Sequence, residues 1–339
     1  MRRMKKYTIL LAILASSFAA IGQDIHFSQF NSSPLLLNPA LAGVNAGNYR
    51  FVANYKTQWT GLAPYNTISA SYDMNMFKHS KKANFGGLGI FFFNDKAGDS
   101  ELRTTQVNLN LSYTVVLTRS GSQSLTSGIM GGVGHRSINY ANLTFDSQFN
   151  GVFDPQLSTN ENFATDKVLF GDLGAGFLWN YVRKDGKLNF YAGGSVAHLN
   201  MPNLSFLDAR DEKLYIKYTV HGGGYIGVSK QIFILPSFMY LNQGPHNQFN
   251  FGGLVKIRKS IIPSDNTSFY IGGWYRLKDA LILNARVDVG HFNIGFSYDI
   301  NLSGLTPASN ANGGPELSLI YTGIFPSKKH QTIYCPPML

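Results

Sequence analysis

The sequence predicts an all-β protein whose strands close into a barrel that spans a membrane. Three observations lead to this prediction: a composition too apolar for a soluble protein, the lack of a segment that could form a transmembrane helix, and long stretches in which apolar and polar residues alternate. Hydrophobic residues make up 44% of the 339-residue chain and charged residues 14%, whereas soluble domains carry about 25% charged residues. Part of the surface is therefore expected to face lipid.

The N-terminus has the layout of a signal peptide. Basic residues within positions 2–6 precede the apolar stretch 7–21, and small residues follow up to Gly22. The stretch is about 15 residues long, which is shorter than the roughly 20 residues that cross a bilayer as a helix. We therefore predict a signal peptide over residues 1–22, a mature chain that begins at Gln23, and export across the inner membrane of a Gram-negative bacterium.

The clearest strand pattern lies at residues 106–115. Apolar residues occupy every odd position from Val107 to Val115, and polar residues occupy every even position from Gln106 to Thr114. This period of two gives a strand one apolar and one polar face. The same alternation recurs at 169–181, 249–257 and 292–298. After residue 22 no window holds about 18 apolar, uncharged residues, and a bilayer tolerates only helices and closed barrels. We therefore expect an outer-membrane β-barrel.

The strand-like segments number about fourteen, and an even number of antiparallel strands is typical of bacterial barrels. Their predicted starts lie near residues 49, 66, 84, 104, 122, 168, 186, 215, 231, 247, 266, 280, 291 and 315. We assign residues 23–48 to a periplasmic or lumenal segment, 49–322 to the barrel and 323–339 to a periplasmic C-terminal tail. In this arrangement both termini face the periplasm.

Glycines and aromatic residues within the predicted strands fit the same architecture. Glycines such as Gly87 and Gly131 are expected to permit bends and close packing inside the lumen. Aromatic residues near strand ends, such as Trp179 and Tyr181, are typical of the girdles at membrane interfaces. The alternative interpretation is that these aromatic residues form the core of a soluble β-sandwich.

Two long connections, 138–167 and 199–214, are the candidate binding loops. Barrels of this type have short periplasmic turns and longer external loops, and exposed aromatic residues on a long loop indicate either a partner or a plug. The first loop binds a partner or folds inward and closes the pore. The candidate partner-binding residues are Tyr140, Phe145, Phe149, Phe153, Asp154, Met201, Phe206, Asp208 and Arg210.

The residues contain no motif for catalysis, metal binding or cofactor binding. The histidines fall in no paired ligand spacing, and the sequence lacks a nucleophile elbow, a phosphate-binding loop and a CxxC motif. We therefore expect no enzyme activity, no cofactor and no metal; an outer-membrane hydrolase is the alternative that residue types alone leave open. No basic run indicates nucleic acid. The single cysteine, Cys335, is either a free thiol or the partner of another chain.

The mature N-terminus carries the most specific pattern, QDIHFSQF over residues 23–30 and PLLLNPALAG over residues 34–43. These blocks closely resemble the opening of the PorP/SprF family, type IX secretion system membrane proteins of Bacteroidetes. The similarity extends over essentially the whole mature chain, although the family usually ends in a basic residue and Phe where this chain ends in Met338 and Leu339. The motif residues are Phe27, Ser28, Gln29, Phe30, Asn38, Pro39, Ala40, Gly43, His198, Leu199, Asn200, Pro202, Cys335 and Pro336.

This resemblance implies a non-catalytic barrel of the type IX secretion and gliding motility system. Such a barrel assists the export of a secreted adhesin with a C-terminal sorting domain, anchors it at the cell surface, or works with periplasmic ring components. The expected partners are a secreted type IX substrate, periplasmic secretion-motor proteins and outer-membrane lipid. The resemblance also implies a structural or assembly role for Cys335. From the residues alone, inward polar rows such as Asn108, Asn110 and Ser112 favour the alternative of a diffusion pore for small solutes.

Overall fold

Fourteen antiparallel strands form a closed barrel. The computed structural model describes residues 24–59, 64–77, 84–154, 156–159, 165–206, 212–260, 267–304, 306 and 310–325. The strands are β1 (Tyr49–Gln58), β2 (Tyr65–Met76), β3 (Phe85–Ala97), β4 (Leu102–Val116), β5 (Gln123–Ser137), β6 (Lys167–Val182), β7 (Leu188–Ala197), β8 (Lys217–Gly227), β9 (Ile232–Gln243), β10 (His246–Arg258), β11 (Ser268–Arg276), β12 (Ala280–Val289), β13 (Phe292–Asn301) and β14 (Asn312–Gly323).

The barrel closes between the first and last strands, where Tyr49 pairs with Gly323 and Lys56 with Glu316. Every other strand pairs with its neighbours in sequence, so no strand edge is left open to lipid. The predicted fold class is confirmed, and each predicted strand start lies within three residues of the observed one. In the described part of the chain, no helix is long and apolar enough to cross a membrane.

The two faces of the barrel wall follow the alternation in the sequence. In β4, Val107, Leu109 and Tyr113 point outward and are 43%, 51% and 56% exposed. Their neighbours Gln106 and Asn110 point inward and are buried. The apolar residues thus cover the outside, where hydrocarbon takes the place of water, and the polar residues line the interior.

The two ends of the barrel differ in their connections. We call the end where β1 begins and β14 finishes the short-turn end, because turns such as 183–187, 228–231 and 290–291 lie there. The opposite end, the loop end, carries both long connections, 138–166 and 198–216. The predicted asymmetry is therefore present, although the loop end also contains short turns such as 244–245.

Residues 24–48 fill the lumen, and we call this segment the plug. It contains a short helix α1 (Pro34–Leu37) between two 3-10 turns, Phe30–Ser32 and Pro39–Leu41. Proline at the first position of α1 supplies a backbone angle that suits a helix start and lacks an amide hydrogen that would be unpaired there. Because α1 is short and its neighbours are buried, the barrel wall rather than helix propensity holds this segment in shape.

The plug runs in a direction that the sequence did not indicate. Tyr49 and Gly323 share the short-turn end, as expected for the barrel strands, but Asp24 lies at the loop end. There its amide donates to Gln243, the last residue of β9, and its carboxylate pairs with Lys217, the first residue of β8. Asp24 and the end of β14 therefore lie at opposite ends of the barrel, whereas the sequence led us to expect both termini on the same side. Residues 24–48 lie in the lumen, one of the two positions expected for this segment.

Candidate functional site

The plug turns the lumen into a packed core. Ala40 and Leu41 have no exposed surface, and the ring of Phe30 lies 5.7 Å from that of Trp274 in an edge-to-face arrangement. The aliphatic wall residue Leu235 belongs to the same buried cluster. Burial of this kind drives association of the plug with the wall. The plug motif residues are all buried here: Phe27, Ser28, Gln29, Phe30, Asn38, Pro39, Ala40 and Gly43.

Glycine lets the plug backbone approach the wall closely. Gly43 has a positive φ of 69°, and a Cβ atom there would lie 2.7 Å from the Cα atom of Gly87. A Cβ atom on Gly87 would in turn lie 2.1 Å from the carbonyl oxygen of Ala42. Both positions exclude a side chain. Inward glycines of the strands thus permit close packing in the lumen, as the sequence predicted.

Asn38 connects the second 3-10 turn to the wall. Its side-chain oxygen accepts a hydrogen bond from the Ala40 amide at 2.9 Å, which caps the turn Pro39–Leu41. Its side-chain nitrogen donates to the carbonyl oxygens of Phe177 and Gly194 at 2.9 and 3.3 Å. The Asn-Pro-Ala part of the motif therefore fixes both the shape of the plug and its position on β6 and β7.

A buried group of charges binds the plug at Ser28 and Gln29, near its start. The carboxylate of Glu316 accepts the Ser28 and Gln29 amides at 2.7 and 3.0 Å. Arg276 pairs with Asp299 at 3.0 Å, and both contact the Ser28 hydroxyl. Buried charges are tolerated when they are paired and hydrogen-bonded. This arrangement ties the Phe-Ser-Gln motif to β11, β13 and β14.

A second ion pair holds the plug near the short-turn end. Arg50 and Asp73 form a buried pair at 2.9 Å. Asp73 also accepts the Gly43 amide at 2.9 Å, and Arg50 donates to the Leu41 carbonyl oxygen at 3.1 Å. The end of the plug is thus bound to β1 and β2 just before the chain enters the barrel wall.

At the loop end, His198, Lys217 and Gln243 contact Asp24, and Asp172 contacts His198. We call these four wall residues the clasp. The Asp24 carboxylate lies 2.6 Å from His198 Nε2 and 2.5 Å from Lys217 Nζ. His198 Nδ1 lies 2.9 Å from the Asp172 carboxylate. His198 has a positive φ of 59°, which is unusual for a residue other than glycine. The chain leaves β7 at this residue.

The contacts of the clasp shift the pKa values of Asp24 and His198. Burial favours neutral forms, but the positive charges of His198 and Lys217 outweigh it and hold the pKa of Asp24 well below its usual value. Burial likewise opposes charge on His198, yet the carboxylates of Asp24 and Asp172 raise its pKa to about 9. At neutral pH, His198 is therefore an imidazolium held between two carboxylates.

Loop 198–216 folds over the mouth of the lumen. Leu204 and Leu214 are buried against Phe170, which points inward from β6. The ring of Phe206 lies under the guanidinium group of Arg136, 5.7 Å from its centre. Of the residues predicted to bind a partner from this loop, Met201 is 44% exposed, and Asp208 and Arg210 lie outside the described residues. Inward folding that closes the pore was one alternative for loop 138–167. In the structure, it is loop 198–216 that folds inward.

Loop 138–166 presents an aromatic tip. Phe149 and Phe153 are 52% and 56% exposed, with ring centroids 5.0 Å apart. The Asp154 amide donates to the carbonyl oxygen of the buried Gln148, which supports the tip from below. Tyr140 and Phe145 are half-buried in the lower part of the loop. Of the predicted set, Phe149 and Phe153 therefore form an exposed apolar surface together with Val152, and we call these three residues the aromatic tip.

A comparison with models of protein families identifies the family of this chain. The family model described as type IX secretion system membrane protein PorP/SprF matches residues 19–321. The chain belongs to the PorP/SprF family. The resemblance drawn from the two N-terminal blocks is confirmed. Together, the family and the barrel fold put this PorP/SprF protein in the outer membrane.

Solved structures with a similar fold are other outer-membrane barrels. The Ralstonia pickettii toluene transporter TbuX aligns with a TM-score of 0.51 and 11% identity, over 89% of this chain and 95% of that one. The TodX deltaS2 mutant, a monoaromatic hydrocarbon channel, gives 0.50 and 8% identity, over 85% and 93% of the two chains. At these identities the likeness concerns the fold alone. A comparison with curated proteins finds no relative.

Other motif residues of this PorP/SprF chain lie around the clasp. Asn200 donates to the Gly171 carbonyl oxygen at 2.7 Å and accepts the Leu173 amide at 3.1 Å, which fastens the loop to β6. Pro202 is buried, whereas Leu199 is 47% exposed. Cys335 and Pro336 lie outside the described residues.

Sequence reasoning missed the charged residues that hold the plug. Wall residues such as Lys217 and Arg276 were not singled out, and Asp24, although it lies within the block 23–30, was given no role. The sequence signal for these wall residues was a charged side chain at an inward-facing strand position. Most inward-facing polar side chains of this chain are uncharged. Among the described residues, no group of His, Cys, Asp and Glu could hold a metal ion.

Proposed function

We propose that this barrel is a plugged, non-catalytic component of the type IX secretion system that binds a secreted partner at its loop end. The partner class is an adhesin-like protein with a C-terminal sorting domain, which the barrel helps to export or anchors at the cell surface. The observation that carries the proposal is the aromatic tip on a barrel whose lumen is packed. Among the described residues of loop 138–166, Phe149, Val152 and Phe153 are 52%, 69% and 56% exposed, and exposed apolar groups of this kind mark sites of protein contact.

The lengths of the connections support the proposed orientation. Short turns usually face the periplasm and long loops the exterior, so the loop end faces outward in this proposal. The short-turn end, with the chain beyond Gly323, then faces the periplasm, where ring components of the secretion motor are available. The clasp and the aromatic tip lie at the outer end.

The test compares surface attachment of type IX substrates in cells that carry variants of the tip. We expect Phe149→Asp combined with Phe153→Asp to lower the amount of one secreted protein on the cell surface while the barrel itself stays folded. Val228→Asp is the control, because Val228 is 62% exposed but lies in the turn after β8 at the other end. The proposal fails if deleting the gene leaves every type IX substrate secreted and attached as before.

A second candidate is a pathway for small apolar solutes. It is favoured by a cavity between the plug and strands β8 and β9, lined by residues such as Phe27, Phe30, Met239 and Leu241. TbuX is a toluene transporter and TodX a monoaromatic hydrocarbon channel by name. The cavity measures about 30 Å³, room for about two water molecules, so passage requires the plug to move. Uptake of labelled toluene into vesicles that contain the purified barrel distinguishes the two candidates.

A further inference from the structure

A cavity of about 60 Å³ lies at the mouth of the lumen, beneath loop 198–216. Its volume corresponds to about four water-sized groups. Phe170, Leu204 and Leu214 supply an apolar side. The polar lining consists of Arg136, Thr104, Gln106 and the carboxylates of Asp95 and Asp24. The cavity is separate from the aromatic tip and uses none of its residues.

Unlike three other lumenal cations, Arg136 forms no ion pair with a carboxylate among the described residues. Arg50 pairs with Asp73, Arg276 with Asp299, and Lys217 with Asp24. Among the described residues, Arg136 makes no hydrogen bond and no ion pair. Its guanidinium lies over the Phe206 ring, and the charge of Glu212 acts on it from beyond ion-pair distance. Arginine presents five donors in a planar fork that matches a carboxylate. A half-buried guanidinium without a partner, facing a cavity, is therefore suited to bind an anion.

The strand register defines what surrounds this guanidinium. Asp95, Thr104 and Arg136 are direct neighbours across β3, β4 and β5 and point into the lumen in one row. Asp95 accepts a hydrogen bond from the Thr67 hydroxyl at 2.5 Å, and Asp24 is held in the clasp. The negative charges of Asp95 and Asp24 disfavour a polyanion such as phosphate more strongly than a ligand with a single negative charge. The apolar side of the cavity favours an apolar group attached to that charge.

We propose that Arg136 and this cavity bind a carboxylate joined to a small apolar group. The carboxylate pairs with the Arg136 guanidinium, Thr104 donates its hydroxyl, and the first carbon atoms lie against Phe170, Leu204 and Leu214. Two sources supply this chemistry: the C-terminal residue of a polypeptide and a free short-chain fatty acid. The proposal does not depend on the function proposed above, since it concerns the purified barrel alone.

The test measures binding of two probes to the full-length mature protein in detergent by ligand-observed NMR. The probes are butyrate and the tripeptide acetyl-Gly-Gly-Ala with a free carboxylate, and their neutral analogues are butyramide and the amidated tripeptide. We expect at least one acid to bind and its neutral analogue to bind about tenfold more weakly or not at all, because a charge-assisted bidentate hydrogen bond is lost.

Arg136→Gln should weaken binding of that acid by about tenfold or more. Arg103→Gln is the matched control, because Arg103 lies at the same end of neighbouring β4 but on the exposed outer face. The Arg103→Gln variant should bind the acid with unchanged affinity. Retained heat-modifiable migration on gels verifies that each variant is folded. Binding of butyrate alone identifies a fatty acid as the source, and binding of the tripeptide alone identifies a chain terminus. Equal affinity of acids and neutral analogues, or of Arg136→Gln and the parent protein, overturns the proposal.

Discussion

Asp24 and His198 form a contact of 2.6 Å that joins the start of the plug to the start of a surface loop. The two residues are far apart in sequence, and the contact lies at the end of the barrel opposite to Tyr49, where the plug enters the wall. His198 is positioned by the chain turn after β7 and by Asp172 on its other nitrogen. The His198 imidazole thus links movement of loop 198–216 to release of the plug.

Replacing Asp24 should loosen the plug. In Asp24→Ala, Lys217 loses its ion-pair partner while remaining buried, and breaking a buried pair costs about 3 kcal/mol or more. We expect a lower melting temperature and increased protease cleavage within residues 24–33. Asp99→Asn is the control, since Asp99 is exposed in the turn between β3 and β4 at the same end. Unchanged melting in Asp24→Ala would mean that the clasp contributes nothing to stability.

The stability of the clasp should depend on pH through His198. The pKa of His198 is raised to about 9 in the folded protein, against about 6.5 for an unperturbed histidine. Its stabilising contribution is therefore complete below about pH 6.5 and is lost as the pH rises through 9. The difference corresponds to about 3 kcal/mol. Melting curves between pH 6 and pH 10 should show this loss, and the same curves for His198→Gln should be flatter; parallel curves would contradict the assignment.

Adding a methyl group at Gly43 should displace the plug. In Gly43→Ala the new Cβ atom would lie 2.7 Å from Gly87 Cα and 2.8 Å from the Met74 carbonyl oxygen. Overpacking costs about 1 to 3 kcal/mol, in addition to about 1 kcal/mol for the left-handed backbone. Gly98→Ala isolates the backbone effect, because Gly98 has a φ of 64° with nothing within 4 Å of its Cβ position. The melting temperature should fall further for Gly43→Ala than for Gly98→Ala, and equal shifts would rule out close packing.

Deleting the plug should open the lumen. Without residues 24–41, the wall loses the side chains that now fill it, such as Leu41 and Phe30, and inward polar rows such as that of β4 become hydrated. We expect the deletion variant to conduct ions in planar bilayers and the parent protein to stay silent. The Phe149→Asp and Phe153→Asp variant should also stay silent, because the aromatic tip lies outside the lumen. Conduction by the parent protein would instead favour the solute pathway.

The barrel wall was predictable from sequence, whereas the interior was not. The two faces of a strand are visible in its own sequence as alternating apolar and polar residues. The alternation from Val107 to Val115 was therefore sufficient to identify β4. The path of the plug depends on contacts between residues far apart in the chain, such as Ser28 with Glu316, and no local pattern encodes their partner. The inward turn of loop 198–216 likewise depends on Leu204 and Leu214 meeting Phe170. Family resemblance marked the right plug residues but not their direction.

The direction of the plug restricts the order of assembly. Asp24 lies at the loop end, whereas β1, which follows the plug, starts at the short-turn end. The chain must therefore cross the whole lumen before or while β1 pairs with β14. A closed wall would leave only the narrow axial opening for this passage. This obstacle is avoided if the plug is in place first and the wall then closes around it by pairing of β1 with β14. A bulky folded domain fused ahead of Asp24 would then have to travel to the loop end as well, and such a fusion should stall the barrel before its seam is sealed.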